Sequence, residues 1–194
     1  MDAVVLAVPA RPAARLLASV EPGAARTVGA LRYASVALVA LALPPGTALP
    51  DLSGFLVPPG AATLVKAATF VTRKWPYLGR DDGPVIVRAS IGRAGEEERL
   101  QRDDAVLAAE AHTELGQLLG TPLPPPVASW VQRWGGGLPQ YAPGHLDRVA
   151  AARGALAARP GIALAGAAYD GVGIPACVTS GETAAEDIVK SLED

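Results

Sequence analysis

The chain has only one cysteine, Cys177, and two histidines among its 194 residues. A lone cysteine cannot form an internal disulfide, and two distant histidines match no recognised metal-ligand spacing. The sequence therefore predicts neither a disulfide framework nor a metal site.

Long apolar runs and an excess of positive charge are also missing. The longest apolar run, 36–43, is too short to cross a bilayer, and no charged segment followed by an apolar one opens the chain. The formal net charge is -2, and only Lys66, Lys74 and Lys190 are lysines. The chain therefore has no broad positive charge to attract a nucleic-acid phosphate backbone. We expect a cytoplasmic protein without a transmembrane segment or a nucleic-acid partner, and peripheral membrane contact stays open.

What is present is enough apolar material for a core, since 50% of the residues are hydrophobic and 19% are charged. Strand patterns lie at 2–8, 32–43, 54–57, 64–71, 84–91 and 162–166, with a strand followed by a loop at 130–137. Helical patterns lie at 11–19, 96–119, 147–159 and 176–192. The order predicts an α+β or α/β fold around a mixed or antiparallel sheet.

The first strand pattern, 2–8, is nearly continuous in apolar residues and ends at Pro9. Such a run is typical of a strand that is buried on both faces. A strand of that kind needs neighbours on either side, and we therefore expect partner strands from elsewhere in the protein.

The last strand pattern is followed by a loop with glycines at positions 166, 171 and 173 and then by a helix. Open α/β domains bind ligands where a strand passes into a helix, and glycine lets the backbone approach a flat or anionic group closely. The N–H groups of the following helix would point at that group. An ordinary tight loop is the alternative interpretation of the glycine content alone.

Four blocks of the sequence, taken in order, carry a further pattern. They are 2–9 with 33–36, 67–76 with 87–93, 133–134 with 138–145, and 164–181. In this order they resemble the protoporphyrinogen and coproporphyrinogen oxidases, which are FAD-dependent enzymes of haem biosynthesis. The sequences Lys74-Trp75-Pro76 and Pro139-Gln140-Tyr141 separate this resemblance from the wider flavin amine oxidases.

The resemblance implies three regions and a reaction. Residues 1–30 and 156–194 would be a strand with a helix and a strand-loop-helix of an incomplete Rossmann-like FAD domain, and 31–155 the porphyrinogen substrate domain. The implied reaction is hydride transfer from the macrocycle to flavin N5, with oxygen as acceptor. Coproporphyrinogen III is the favoured substrate and protoporphyrinogen IX the alternative.

The resemblance also implies site residues. Those expected at the flavin are Trp134, Gly166, Gly171, Val172, Gly173 and Ile174. Those expected at the substrate are Phe55, Leu56, Arg88 and Ser90. The cations Arg73, Lys74, Arg88 and Arg93 could bind its propionates or could serve solubility equally well. No catalytic residue is predicted.

The dinucleotide-binding pattern GxGxxG does not follow the first strand, and no acidic residue stands at the ribose position. We therefore expect an enzyme fragment whose missing N-terminal half supplies that site, so that this chain alone holds FAD weakly and does not turn over. Exposed apolar surface would favour self-association. The alternatives are a non-catalytic porphyrin-binding or interaction module and a fragment of another FAD amine oxidase.

Three further residues have a plain structural interpretation. His145 is expected to hydrogen-bond a neighbouring loop, and His112 is expected to be solvated on a charged helix. Cys177 is expected to be a small buried hydrophobic residue.

Overall fold

In the computed structural model, which describes residues 3–193, the chain forms two units. The sheet unit contains Ala34–Gly137, and the terminal unit contains the described residues up to Tyr33 and from Leu138 onward. The strands are β1 (Val4–Leu6), β2 (Tyr33–Leu43), β3 (Gly54–Leu56), β4 (Val65–Phe70), β5 (Val85–Ile91), β6 (Ala128–Pro139) and β7 (Ile162–Leu164). The helices are α1 (Ala10–Leu17), α2 (Pro22–Gly29), α3 (Val71–Lys74), α4 (Asp104–Leu119), α5 (His145–Leu156) and α6 (Ile174–Glu193), with short 3-10 helices at Pro76–Leu78 and Glu97–Gln101.

The sheet unit is built on five strands in the order β3-β4-β5-β2-β6. The pairs β3–β4, β4–β5 and β2–β5 are antiparallel. Strand β6 lies beside β2, and the Val127 N–H donates to the Ala42 carbonyl where that edge begins. The sheet is therefore antiparallel, which is one of the two arrangements predicted from the sequence.

Alternation along β2 and β5 gives the sheet two different faces. Val39 and Leu41 on β2 and Val87 on β5 are fully buried, whereas the residues between them are half-buried. Because successive side chains of a strand point to opposite faces, one face carries the core, and α4 covers it with Leu107 and Leu115. Burial of each such large apolar side chain contributes about 1.5–3 kcal/mol.

The terminal unit combines a two-stranded parallel sheet, β1 with β7, and four helices. Its main core joins Leu17 of α1, Val28 of α2 and Val149 of α5 around the fully buried Tyr169. Helix α6 follows the loop after β7 and places Ala184 against Ala163 and Ala165. The loop after β7 is thereby held between a strand and a helix of the same unit.

The prediction that a helix covers most of 96–119 is confirmed by α4, but the start of the segment forms a separate 3-10 helix. Arg102 between them is extended, with φ -68° and ψ 157°. The Arg133 guanidinium donates to the carbonyl oxygens of Leu100 (2.8 Å) and Arg102 (2.6 Å), which fixes the break from another part of the sheet unit. Periodicity within the segment carried no sign of this distant contact.

Other elements differ in extent or were not predicted. Strand β6 continues through the glycines of 135–137, where a loop was expected. Helix α2 was missed, although Pro22 at its first position and the Glu21 side chain, which accepts from the Gly23 N–H at 3.3 Å, mark its start. Gly and Ala dominate this segment, so its apolar period is weak.

The first strand also differs from its prediction. Asp2 lies outside the described residues, and in β1 the side chains of Val4 and Val5 are 37% and 40% exposed while Leu6 is buried. Within the described residues only one face of β1 is covered, so burial on both faces is not seen.

The unit boundaries differ from the expected regions at 31–33 and at 138–155, both of which belong to the terminal unit. Helix α5 packs against α2, so 138–155 belongs with both ends of the chain instead of with the sheet. The flavin and substrate roles of the two units stay predictions. Among residues 3–193, no helix is long and apolar enough to span a membrane.

Candidate functional site

The loop between β7 and α6 exposes its second half to solvent. Val172 is 54% exposed and Ile174 82% exposed, and Gly173 between them is exposed as well. The Cys177 N–H closes the first turn of α6 on the Gly173 carbonyl at 2.9 Å. The N–H groups of Ile174 and Ala176 precede that bond, so intrahelical acceptors do not reach them and they are available to a ligand.

The three glycines of this loop occur for different reasons. Gly166 and Gly171 have φ values of +116° and +146°, which L side chains rarely adopt, and a Cβ on Gly171 would lie 2.7 Å from the Ala176 Cβ. Gly173 has no such φ, and its Cβ would meet only the Pro175 Cδ at 3.8 Å, an ordinary contact. The fold therefore requires glycine at 166 and 171, whereas Gly173 leaves room for a group from outside the described residues.

A polar network anchors the first half of the loop. The Arg153 guanidinium donates to both Asp170 carboxylate oxygens, at 2.9 and 2.6 Å. The buried Ser180 hydroxyl donates to Asp170 (2.8 Å) and accepts from the Gly166 N–H (3.0 Å). Helices α5 and α6 thus both hold the turn 166–170.

The same network shifts the protonation of its charged members. The hydrogen bond from Arg153 is the main cause that holds the pKa of Asp170 below its ordinary value, against the effect of burial. The hydrogen bond to Asp170 likewise raises the pKa of Arg153. Both side chains are consequently charged at neutral pH, and the pair is an ion pair.

A second anchor comes from Tyr141, in the connection between β6 and α5. Its hydroxyl donates to the Ala167 carbonyl at 2.7 Å. Its ring stacks on the His145 imidazole, with centroids 4.0 Å apart and an interplanar angle of 14°. Burial raises the pKa of Tyr141, so the hydroxyl stays protonated and able to donate.

His145 does not make the hydrogen bond expected from the sequence. It is buried, and neither ring nitrogen has a partner among the described residues. Its contact with the neighbouring loop is instead the stacked face of Tyr141. The expectation for His112 is also wrong, because it is half-buried and its Nε2 lies 2.9 Å from the Pro124 carbonyl. Cys177 is half-buried, with its Sγ 3.6 Å from the Gly171 carbonyl.

Tyr169, inside the loop, is fully buried, and its hydroxyl has no hydrogen-bond partner within the part of the chain described. Burial is the main cause that raises its pKa to about 12, and Tyr33 adds to the shift. The ring is therefore core packing under the loop, not an acid-base group.

The predicted substrate residues fall on two faces of the sheet. Leu56 pairs with Ala67, Ala67 with Ser90, and Ser90 with Leu38, so these four form one row across β3, β4, β5 and β2. The row lies on the face that does not carry the core, which we call the outer face. Leu56 is 83% exposed at the end of the row.

Arg88 stands in the next row of the outer face, opposite Thr69 on β4 and Ala40 on β2. Phe55 pairs with Ala68 and therefore points to the core face, where its ring meets Phe70 edge-on with centroids 6.1 Å apart. The sequence grouped Phe55 with Leu56, but adjacent residues of a strand face opposite ways.

The four cations considered for propionates have different surroundings. Arg73 pairs with Asp51 at 2.6 Å, and Arg93 donates to the Thr63 carbonyl at 2.8 Å. The Lys74 ammonium lies over the Trp75 ring, 4.7 Å from its centroid. Arg88 alone among the four has no hydrogen-bond, ion-pair or aromatic partner within residues 3–193.

Trp134, the remaining predicted flavin residue, is in the sheet unit on β6 and is 54% exposed. Val131 packs on the core and Arg133 donates to Leu100, so the alternating positions Trp130 and Trp134 belong to the outer face. Trp130, 67% exposed, was not singled out from the sequence, although its spacing from Trp134 could have indicated a shared face.

No group of three His, Cys, Asp or Glu side chains in the described part of the chain is placed to hold a metal ion. The anchors Tyr141, Arg153 and Ser180 were also not predicted as functional. Each acts on the loop from a distant position in the sequence, which a local pattern does not record.

Relatives with established names match nearly all of this chain. Coproporphyrinogen III oxidase of Mycobacterium tuberculosis is 40% identical over 192 residues, which are 99% of this chain and 41% of the relative. The Bacillus subtilis coproporphyrinogen III oxidase is 31% identical over 98% of this chain and 40% of its own length. The chain thus spans about two fifths of the length of these curated relatives, to which it is homologous.

Solved structures share the fold. The crystal structure of an Exiguobacterium sp. 255-15 protein assigned as a protoporphyrinogen oxidase superposes with a TM-score of 0.81 at 32% identity, over 100% of this chain and 42% of that one. A reduced UDP-galactopyranose mutase, at 15% identity and a TM-score of 0.66 over 86% of this chain and 35% of that one, shares the fold alone. The family model described as "Flavin containing amine oxidoreductase" matches residues 1–189. The resemblance drawn from the sequence blocks is confirmed, and the chain belongs to the flavin containing amine oxidoreductase family.

Proposed function

We propose that this chain carries the cofactor-facing loop and the substrate wall of an FAD-dependent oxidase that converts coproporphyrinogen III to the porphyrin. Protoporphyrinogen IX is the alternative substrate. The proposal is supported by the bacterial relatives named coproporphyrinogen III oxidase and by two surfaces of the chain, one in each unit. The activity requires a dinucleotide-binding region whose GxGxxG pattern this sequence lacks.

The residues of the loop fit a flat, electron-rich group such as a flavin. The flavin would meet the backbone of Val172, Gly173 and Ile174. Gly173 has no Cβ to hold it away, and no contact within residues 3–193 requires a glycine at that position. The free N–H groups at the start of α6 would face its electronegative edge. When bound, FAD would accept the hydride from the macrocycle and pass electrons to oxygen.

The observation that carries the substrate assignment is the row Leu56, Ala67, Ser90 and Leu38, with unpaired Arg88 in the next row. The three apolar side chains of this row, Leu56, Ala67 and Leu38, suit a flat macrocycle and exclude water from it. Arg88 would bind a propionate of that macrocycle through charge-assisted hydrogen bonds, since none of its donors is used among the described residues. No carboxylate or histidine of this chain is assigned an acid-base role.

The test is Arg88→Ala in the product of the complete reading frame that encodes this chain. Loss of a charge-assisted pair should raise KM for coproporphyrinogen about tenfold, with a smaller effect on kcat, because the propionate is bound alike in the ground and transition states. Arg88→Lys keeps the charge and should recover most of the loss. The matched control is Arg80→Ala, an arginine with an 81% exposed side chain beside Asp82.

Two results would contradict the assignment of Arg88. One is an Arg88→Ala enzyme with the wild-type KM, and the other is an Arg80→Ala enzyme that loses as much. Protoporphyrinogen has fewer propionates than coproporphyrinogen, so the ratio of the two Arg88→Ala losses also indicates which substrate the residue serves.

A porphyrin-binding module without turnover is the second candidate, and the observation that favours it is that four adjacent strands of this chain build the outer-face row whereas GxGxxG is absent from the sequence. A porphyrin titration of the purified 194-residue chain, with flavin absorbance measured on the same sample, separates the two. Tight porphyrin binding without flavin would support the module. Weak binding that strengthens when FAD is held by the complete product supports the oxidase.

A further inference from the structure

We propose that Tyr141 is a positioning residue for the cofactor-facing loop, an inference that rests on the proposed function. Its hydroxyl donates to the Ala167 carbonyl at 2.7 Å, inside the turn 166–170. This hydrogen bond ties the loop to the connection between β6 and α5. The residues that follow, Val172 and Gly173, leave the turn in the direction that this hydrogen bond sets.

The loop needs such a contact because its own backbone preference is weak. Gly171 has φ +146°, and Gly173 follows two residues later. Glycine populates many backbone conformations about equally, so sterics alone do not fix where the next residues lie. The Arg153–Asp170–Ser180 network holds Gly166 and Asp170 and makes no hydrogen bond to Ala167. Tyr141 holds the loop at that residue.

His145 gives Tyr141 its own fixed position. Tyr141 is 43% exposed and would otherwise sample several rotamers. His145 is 4% exposed at the first position of α5, and its backbone N–H donates to the Ala142 carbonyl at 3.0 Å. Because neither ring nitrogen has a partner among the described residues, the imidazole contributes its face, which stacks on the tyrosine ring. The buried imidazole thereby limits the conformations open to the Tyr141 ring.

The test is Tyr141→Phe in the product of the complete reading frame, which removes one oxygen and keeps the stacked ring. Amide hydrogen exchange of the segment 167–171 in the apoprotein should become about threefold to tenfold faster, and the dissociation constant for FAD should rise by a similar factor. The apoprotein Tm should stay close to that of the wild type, because the side chain is exposed.

Two companion variants make the result specific. Tyr77→Phe removes the hydroxyl of a tyrosine that is 79% exposed in the sheet unit, and it should change neither quantity. His145→Phe keeps an aromatic face behind Tyr141 and should retain the wild-type exchange rate. A wild-type exchange rate in His145→Phe would show that the imidazole acts by stacking, because phenylalanine keeps the ring face and has no hydrogen-bonding nitrogen.

Unchanged exchange at 167–171 in Tyr141→Phe would overturn the inference, even where FAD binds. A fall in Tm that matches the loss of FAD affinity would overturn it too, because Tyr141 would then serve the fold in general. A wild-type protein that takes up no FAD would refute the proposed function instead, and the exchange rates would still decide whether Tyr141 holds the turn.

Discussion

Replacement of Asp170 by asparagine removes the charge at the centre of the loop network and keeps its shape. Arg153 binds the carboxylate through two hydrogen bonds, at 2.9 and 2.6 Å, and Ser180 donates to it at 2.8 Å. The asparagine amide oxygen can still accept from Ser180, so the link from Ser180 to Gly166 survives. What is lost is the ion pair with Arg153.

The size of this loss follows from exposure and geometry. The Arg153 and Asp170 side chains are 37% and 35% exposed, so solvent screens the pair, and exposed pairs contribute about 1 kcal/mol at most. The bidentate geometry of the Arg153–Asp170 pair favours the upper end of that range. We therefore expect Asp170→Asn to lower the free energy of unfolding at pH 7 by about 1 kcal/mol.

The loss should depend on pH with a definite sign. The folded state holds the pKa of Asp170 below its ordinary value, so the folded state binds this proton less strongly than the unfolded state does. The stabilisation is complete above the unfolded-state pKa, about 4, and disappears as pH falls through the lower folded-state pKa. The difference between wild type and Asp170→Asn should therefore be present at pH 7 and shrink progressively below about pH 4.

The assay is urea unfolding followed by far-UV circular dichroism at several pH values, with Asp81→Asn as a control at an exposed aspartate of the sheet unit. A double-mutant cycle with Arg153→Met measures the coupling between the two side chains. A difference that is the same at every pH, or strictly additive single variants, would refute the ion-pair reasoning.

Three other outcomes follow from the structure. Tyr169→Phe should be neutral or slightly stabilising in urea unfolding, since it removes a buried hydroxyl without a partner in the described part of the chain, and a loss above about 1 kcal/mol would reveal an unseen partner. Gly171→Ala should cost about 1–3 kcal/mol because φ is +146° and the new Cβ would clash with Ala176, and a wild-type Tm would contradict this. Exposed Val4 and Val5 on β1 favour self-association of the 194-residue chain, and light scattering that finds a monodisperse monomer would count against it.

Much of the fold could be predicted because its elements differ in local period. The apolar alternation of 32–43 and 84–91 identified β2 and β5. The break at Arg102 and the continuation of β6 through 135–137 could not be predicted, because hydrogen bonds from Arg133 and the pairing with β2 decide them. A contact with a distant residue does not change the spacing of apolar residues within a segment, so local spacing cannot predict it.

The candidate site was predictable in part for the same reason. Glycine spacing and family resemblance pointed to the loop, but its anchors Tyr141 and Arg153 lie on other elements. Among the four cations, only partners distinguish Arg88 from Arg73, and Asp51, the partner of Arg73, is far from it in sequence. Charge could be read from the sequence, whereas its neutralisation by a partner required the structure.

The glycines of the loop between β7 and α6 carry different information about a ligand. A sequence pattern treats Gly166, Gly171 and Gly173 alike, yet the φ values of the first two show that the fold itself demands them. They would be glycine in a loop that binds nothing. Gly173 has an unstrained φ, an exposed backbone and space for a Cβ, so its missing side chain has no cause within residues 3–193. The proposal that a cofactor approaches this loop would account for it, and that proposal therefore depends on Gly173 more than on the number of glycines.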